Sequence, residues 1–312
     1  MMSTPMNIQW YPGHMTKTKR MMQANMSLVD VVIELLDARL PYSSKNPDID
    51  ELAKNKKRLV LLNKSDLAEP ATTGLWEEYY RELGFHSLAI SATEKKVAGR
   101  LAETVRSIMA EKIAKEKKRG RLSVNIRAMV VGIPNVGKST LINQISGAAG
   151  KGGSPTLTAD KPGVTRGKQW IKVAKDFDLL DTPGVLWPKF EDESVGKKLA
   201  FTGAVNDVIL DTITLSYALI EWLMEEKPGA LIARYKLSEE GFNSRDFNSK
   251  GFNLKNPEET LEAIGSARGF KIKGGAVDLE RAANTLLDEF RAGRLGRISL
   301  EVPLPTSPLY LQ

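Results

Sequence analysis

The chain has 312 residues, 42% hydrophobic and 27% charged, a globular composition, and it holds no cysteine, which excludes disulfides, thiolate metal sites and a cysteine nucleophile. Its net charge of +7 is uneven: residues 1–189 carry 30 Lys+Arg against 19 Asp+Glu and residues 190–312 carry 15 against 19, which suits a polyanionic partner as well as a solvated surface. No run approaches the ~20 apolar residues that cross a bilayer, and "MMSTPMNIQWYPGHM" lacks a secretory signal's charged start and apolar core, so the expectation is a cytoplasmic chain with no membrane partner.

In chain order, 29–37 is a β-branched-rich run that reads as a buried strand, and "PDIDELAKN" (47–55) as a helix with Asp48 and Asp50 in its first turn. "RLVLLN" (58–63) is a second buried strand, "LWEEYYRELG" a helix ending at Gly84, and "SLAIS" (87–91) a third strand. "GRLAETVRSIMAEKIAKEKKRGR" begins with helical spacing and degenerates into a basic tail. "NIRAMVV" (125–131), "KQWIKV" (168–173) and "FDLLD" (177–181) complete the strands. Strands alternating with helices predict an α/β domain over 1–189, a mostly parallel sheet covered on both faces. Beyond it, "DTITLSYALIEWLMEE", "PEETLEAIGSARG" and "DLERAANTLLDEFRAG" predict a second, all-helical domain over 190–312, with the apolar "ALIEWLM" stripe in its core.

"GIPNVGKS" (132–139) fits G-x-x-x-x-G-K-[ST] at every fixed position, after an apolar strand and before the helical "STLINQIS". Gly132 and Gly137 let the backbone curl so that amides converge on phosphate oxygens, and the helix adds its positive end. Lys138 places a cation between the β- and γ-phosphates, and Ser139 offers a hydroxyl to Mg²⁺. Pro134, Asn135, Val136 and Thr140 complete the expected nucleotide contacts here. "DTPG" (181–184) ends a strand: Asp181 is expected behind the magnesium ion, and the Gly184 amide at the γ-phosphate.

"NKSD" (63–66) also ends a strand. The Asp66 carboxylate can accept the paired donors of guanine, which adenine lacks. Asn63 would brace this loop, and Lys64 would pack its stem over the base. "SAT" (91–93) follows the next strand, and Ser91 and Ala92 could give an amide to the guanine carbonyl. In "DKPGVTRG" (160–167), Thr165 is the best second magnesium ligand, with Thr156 and Thr158 as weaker ones. The order is base loop, SAT, phosphate loop, threonine loop, DTPG, a cyclic shift of the common order. Loops at the carboxyl ends of neighbouring strands form one site whichever is visited first, and 112–124 would join the usual domain ends.

With "WYPGHM" (10–15), "DARLP" (37–41) and "LLDEFRAGRLG", these motifs resemble the circularly permuted GTPases of the ribosome biogenesis GTPase A family (RbgA, also called YlqF) over nearly the full length. The resemblance implies a GTPase acting in late assembly of the bacterial large (50S) ribosomal subunit and contacting its rRNA. Where ordinary small GTPases place a water-orienting Gln after D-x-x-G, this chain has Val185, so slow unstimulated hydrolysis is expected. The resembled family shares that residue, and the resemblance implies that His14, in the turn "PGHM", supplies the missing function. Asn135 also matches GTPases that use K⁺ as a fixed charge near the β/γ bridge.

Arg268, Lys271 and Lys273 form one candidate RNA-contacting cluster. Arg291, Arg294 and Arg297 would form another if one helix carries all three. Trp10, Tyr11, Lys17, Lys19 and Arg20 form a third. A monomeric, GTP/GDP-operated switch docking on the large subunit is therefore expected. A nucleotide-powered RNA-modifying or metabolic enzyme, and a nucleotide-binding scaffold without turnover, remain the alternatives.

Overall fold

Val31–Asp37 (β1) is buried at every position. Successive strand side chains point to opposite faces, so a strand buried throughout must be covered on both. The computed structural model describes residues 13–148, 169–182, 192–205, 211–237 and 256–303. Beside β1 lie β2 (Lys57–Asn63) and β4 (Ile126–Gly132), then β3 (His86–Ala89), β6 (Phe177–Asp181) and β5 (Gln169–Ala174), in the order β3-β2-β1-β4-β6-β5. All pairs are parallel except β5 with β6. The helices are α1 (Gly13–Met26), α2 (Asp48–Leu52), α3 (Pro70–Glu82), α4 (Val97–Ile108), α5 (Ala110–Lys118) and α6 (Lys138–Ala148).

Trp76 and Tyr80 of α3 pack on Leu36, Val60 and Leu62. Inside this apolar layer, Glu34 of β1 ion-pairs with Arg58 of β2, and Arg58 also pairs with Asp50. Burial pushes the Glu34 carboxyl up despite the neighbouring guanidinium. The basic stretch expected as a tail is helical as far as Lys118; Lys112 pairs with Asp30, and Arg119 and Arg121 pair with Glu116.

A second compact unit, Glu191–Ile298, contains α7 (Glu193–Phe201), α8 (Thr212–Glu226), α9 (Pro228–Tyr235), α10 (Pro257–Ala267) and α11 (Leu279–Arg291). Asp192, Asp211, Asn256 and Asp278 cap α7, α8, α10 and α11, each accepting a backbone N–H of the first turn. Leu219, Ile220 and Leu223 of the "ALIEWLM" stripe are buried. The expected helix through Arg291, Arg294 and Arg297 does not form. Gly293 turns left-handed at φ 71°, and the Arg294 amide returns to the Glu289 carbonyl, which closes α11. Arg291 instead donates to the Ala200 and Phe201 carbonyls, and Arg268 to Glu289.

The expected helical domain ran to residue 312, but from Ser299 the chain belongs with the sheet unit. The Leu300 amide donates to the Arg39 carbonyl at 2.7 Å, and Ser299 Oγ accepts from the Glu69 amide at 3.1 Å. The Glu301 carboxylate accepts from the Tyr42 and Ser43 amides and from Ser43 Oγ, while its carbonyl accepts from Trp76 Nε1. These are long-range contacts, and no local pattern announces them.

Candidate functional site

The strand register puts Asp37 beside Asn63 and Leu35 beside Gly132, so the carboxyl ends of β1, β2 and β4 open on one edge of the sheet. Asn63 Nδ2 donates to the Val136 carbonyl at 2.8 Å, and Asn63 Oδ1 accepts from the Ala92 amide at 2.8 Å. One side-chain amide thus ties together three loops that lie far apart along the chain. Gly137, at φ 96°, sits under it: a Cβ there would lie 2.3 Å from Asn63 Nδ2, so only glycine fits. A Cβ on Gly132 would come within 2.8 Å of the Leu35 carbonyl oxygen.

The phosphate loop leads directly into α6, which begins at Lys138. Lys138 is 8% exposed and donates to the Thr182 carbonyl. Burial pushes its ammonium down to about 8, partly offset by the Asp181 charge. Asp181 is also buried, its carboxyl is raised by that burial, and its Oδ1 has no hydrogen-bond partner. Thr182 Oγ1 donates to the Val130 carbonyl at 2.5 Å and holds this strand end against β4. A buried lysine beside an orphaned carboxylate oxygen, at the mouth of a glycine loop, fits a polyphosphate with a hard divalent cation. The protein donors for that cation would be the Ser139 hydroxyl and Asp181.

Lys64 of the base loop adopts φ 58° and Asn135 of the phosphate loop φ 57°. Lys64 Nζ donates to the Asn135 carbonyl at 2.7 Å and pairs with Asp37 Oδ2 at 3.0 Å. Asp66 is exposed and near enough to favour the Lys64 charge. Of the SAT loop, the Ala92 N–H donates to Asn63 Oδ1 and Ser91 Oγ lies 2.9 Å from Thr93 Oγ1, so this loop braces the base loop.

His14 is the second residue of α1 rather than part of a turn, and its side chain lies outside the described residues. Thr156, Thr158, Thr165, Gly184, Val185, Trp10 and Tyr11 lie outside them too, as do the side chains of Lys17 and Lys19, whereas Arg20 is exposed. Sequence reasoning assigned no role to Asp37, Arg39 or Thr182. Their only signal was the "DARLP" string and a place beside a motif.

A family model described as a 50S ribosome-binding GTPase matches residues 127–235. Ribosome biogenesis GTPase A of Priestia megaterium is 43% identical over 302 residues, covering 96% of this chain and 98% of that protein. The chain belongs to the ribosome biogenesis GTPase A family. The Thermotoga maritima ribosome biogenesis GTPase A is 29% identical, with 97% of each chain covered. Two solved YlqF structures, one GDP-bound and one GNP-bound from T. maritima, align at TM-score 0.60. They are 26% and 25% identical and cover 91% and 93% of this chain and 99% and 100% of theirs. The fold is therefore the circularly permuted P-loop GTPase domain of the ribosome biogenesis GTPase A family. The match that begins at residue 127 leaves the base loop upstream of the phosphate loop.

Proposed function

We propose that this GTPase works as a switch in late assembly of the large ribosomal subunit, contacting its rRNA, with GTP hydrolysis stimulated by the particle. The observation that carries the reading is the Asn63 side chain, which holds the base loop and the phosphate loop together at 2.8 Å. Asp66 then faces the purine edge, and the Lys64 stem lies along its plane. Pro134, Asn135, Val136, Gly137 and Thr140 surround the phosphates, and Lys138 faces the β/γ bridge.

Ser139, Asp181 and Thr165 would hold magnesium, which would supply positive charge to the phosphate oxygens. Asn135 would hold K⁺, which would supply a second fixed charge there. The Gly184 amide senses the γ-phosphate. His14 orients the attacking water, because Val185 offers no polar atom to do so. The protein acts as a cytoplasmic monomer between particles. Among the described residues no helix is long and apolar enough to cross a membrane.

The test is phosphate release from GTP with and without large-subunit particles, in potassium and in sodium buffer. Turnover should rise at least about tenfold with particles in potassium, a lowering of the barrier by ~1.4 kcal/mol. Turnover unmoved by any ribosomal particle in potassium would overturn the reading.

A further inference from the structure

Asp37, the last residue of β1, has no part in the site as assigned so far, although its Cα pairs with that of Asn63 across the sheet. It is 3% exposed, and its carboxylate meets Arg39, the Arg39 amide and Lys64. Arg39 holds it as a fork, with Nε on Oδ1 at 3.0 Å and Nη2 on Oδ2 at 2.8 Å, and the Arg39 amide adds a third bond to Oδ1 at 3.1 Å. Arg39 is 1% exposed, so a carboxylate held by this fork cannot rotate. Ser44 Oγ fixes the same residue through the Asp37 amide at 3.1 Å.

Burial alone would raise the Asp37 carboxyl, but Arg39 and Lys64 outweigh it and keep the group well below the usual carboxylate range. The oxygen Oδ2 is shared. Besides Arg39 it takes Lys64 Nζ at 3.0 Å, and that ammonium donates on its other side to the Asn135 carbonyl at 2.7 Å. The side chain expected to form the floor for the purine is thus stretched between β1 and the phosphate loop. A lysine stem has several rotatable bonds, and each one fixed before the base arrives lowers the entropy cost of binding.

We propose that Asp37 is a positioning residue for guanine-nucleotide binding: locked by Arg39, its carboxylate anchors Lys64 against the phosphate loop and pre-forms the surface on which the base lies. The inference rests on the base-loop assignment made above. It acts at the purine end, so it affects GTP and GDP alike and leaves the choice of base to Asp66.

A double-mutant cycle on the full-length protein tests it, with fluorescent GDP and GTP titrated into wild type, Asp37→Asn, Lys64→Met and the double variant. Asp37→Asn should weaken both nucleotides by the same factor, about tenfold, or ~1.4 kcal/mol. Adding it to Lys64→Met should weaken binding no further. Losses that multiply across the two sites, or wild-type affinity in Asp37→Asn, would overturn the proposal. Should Asp37→Asn fail to fold, Arg39→Lys keeps the charge but breaks the fork, and its loss of affinity must likewise vanish in the Lys64→Met background. Asp66→Asn serves as the control and should exchange guanine for xanthine preference. If it does not, the base-loop assignment fails and this inference with it. If it does while the cycle is additive, the role of Asp37 alone is refuted.

Discussion

Lys138 is a buried cation whose charge is held less firmly than that of a lysine in water. Its ammonium is pushed down to about 8 by burial, partly offset by the Asp181 charge. At neutral pH the free protein keeps it protonated. Above about pH 8 most of the free protein has a neutral amine, and a polyanionic ligand restores the charged form, so binding must take up a proton. GTP affinity should therefore be nearly flat below about pH 7.5 and fall by up to about tenfold per unit between roughly pH 8 and 9. Calorimetry in two buffers of different ionisation enthalpy should show proton uptake only in the upper range. Uptake at pH 7, or none at pH 9, would mean that Lys138 does not meet the phosphates.

Among the helices, Glu289 of α11 is the corresponding case, a buried anion with too many cations. It accepts from Arg234 at 2.9 and 2.6 Å, from Arg268 at 2.7 and 2.9 Å and from the Tyr235 hydroxyl at 2.9 Å. The bonds from Arg234, with those from Tyr235 and the charge of Arg268, hold its carboxyl down at about 2. Because the folded value is depressed, this contribution is complete above the unfolded value of 4.5 and is lost as pH falls from there toward 2. Glu289→Ala leaves the half-exposed Arg234 and the exposed Arg268 without their shared carboxylate and should destabilise the helical unit by about 1 kcal/mol. Thermal unfolding should show a wide gap from wild type at pH 6 that narrows near pH 2.5.

The helix itself was legible in the sequence, since "DLERAANTLLDEFRAG" carries the period, the cap at Asp278 and the stop at Gly293. The hub was not, because Arg234, Arg268 and Glu289 meet only in three dimensions. The same division holds at the site. Gly137, Lys138 and Asn63 stand in strings whose spacing the backbone dictates, so the phosphate and base loops could be read directly. Asp37 reaches Lys64 from a neighbouring strand, and the Ala92 amide turns to Asn63 rather than outward. Neither has a signature along the chain.

The whole molecule is a sheet unit interrupted by a helical one, since the peptide leaves the first near Phe190 and comes back at Ser299. Glu301 completes that return by accepting from two backbone amides and a hydroxyl in the 42–43 turn. Glu301→Ala would leave those donors unmatched in a buried place and should cost the sheet unit about 2 kcal/mol. Hydrogen exchange should then quicken around residues 39–44 and in α3 while α8 and α11 keep wild-type protection. Uniform loosening of both units would contradict this placement. Translation gives the arrangement a temporal dimension. A ribosome adding roughly 5–20 residues per second needs on the order of ten seconds to travel from Phe190 to Glu301. For that interval the sheet unit has its strands and its 42–43 turn but not Glu301, so newly made molecules pass through a form loosened at that turn before they resemble mature ones.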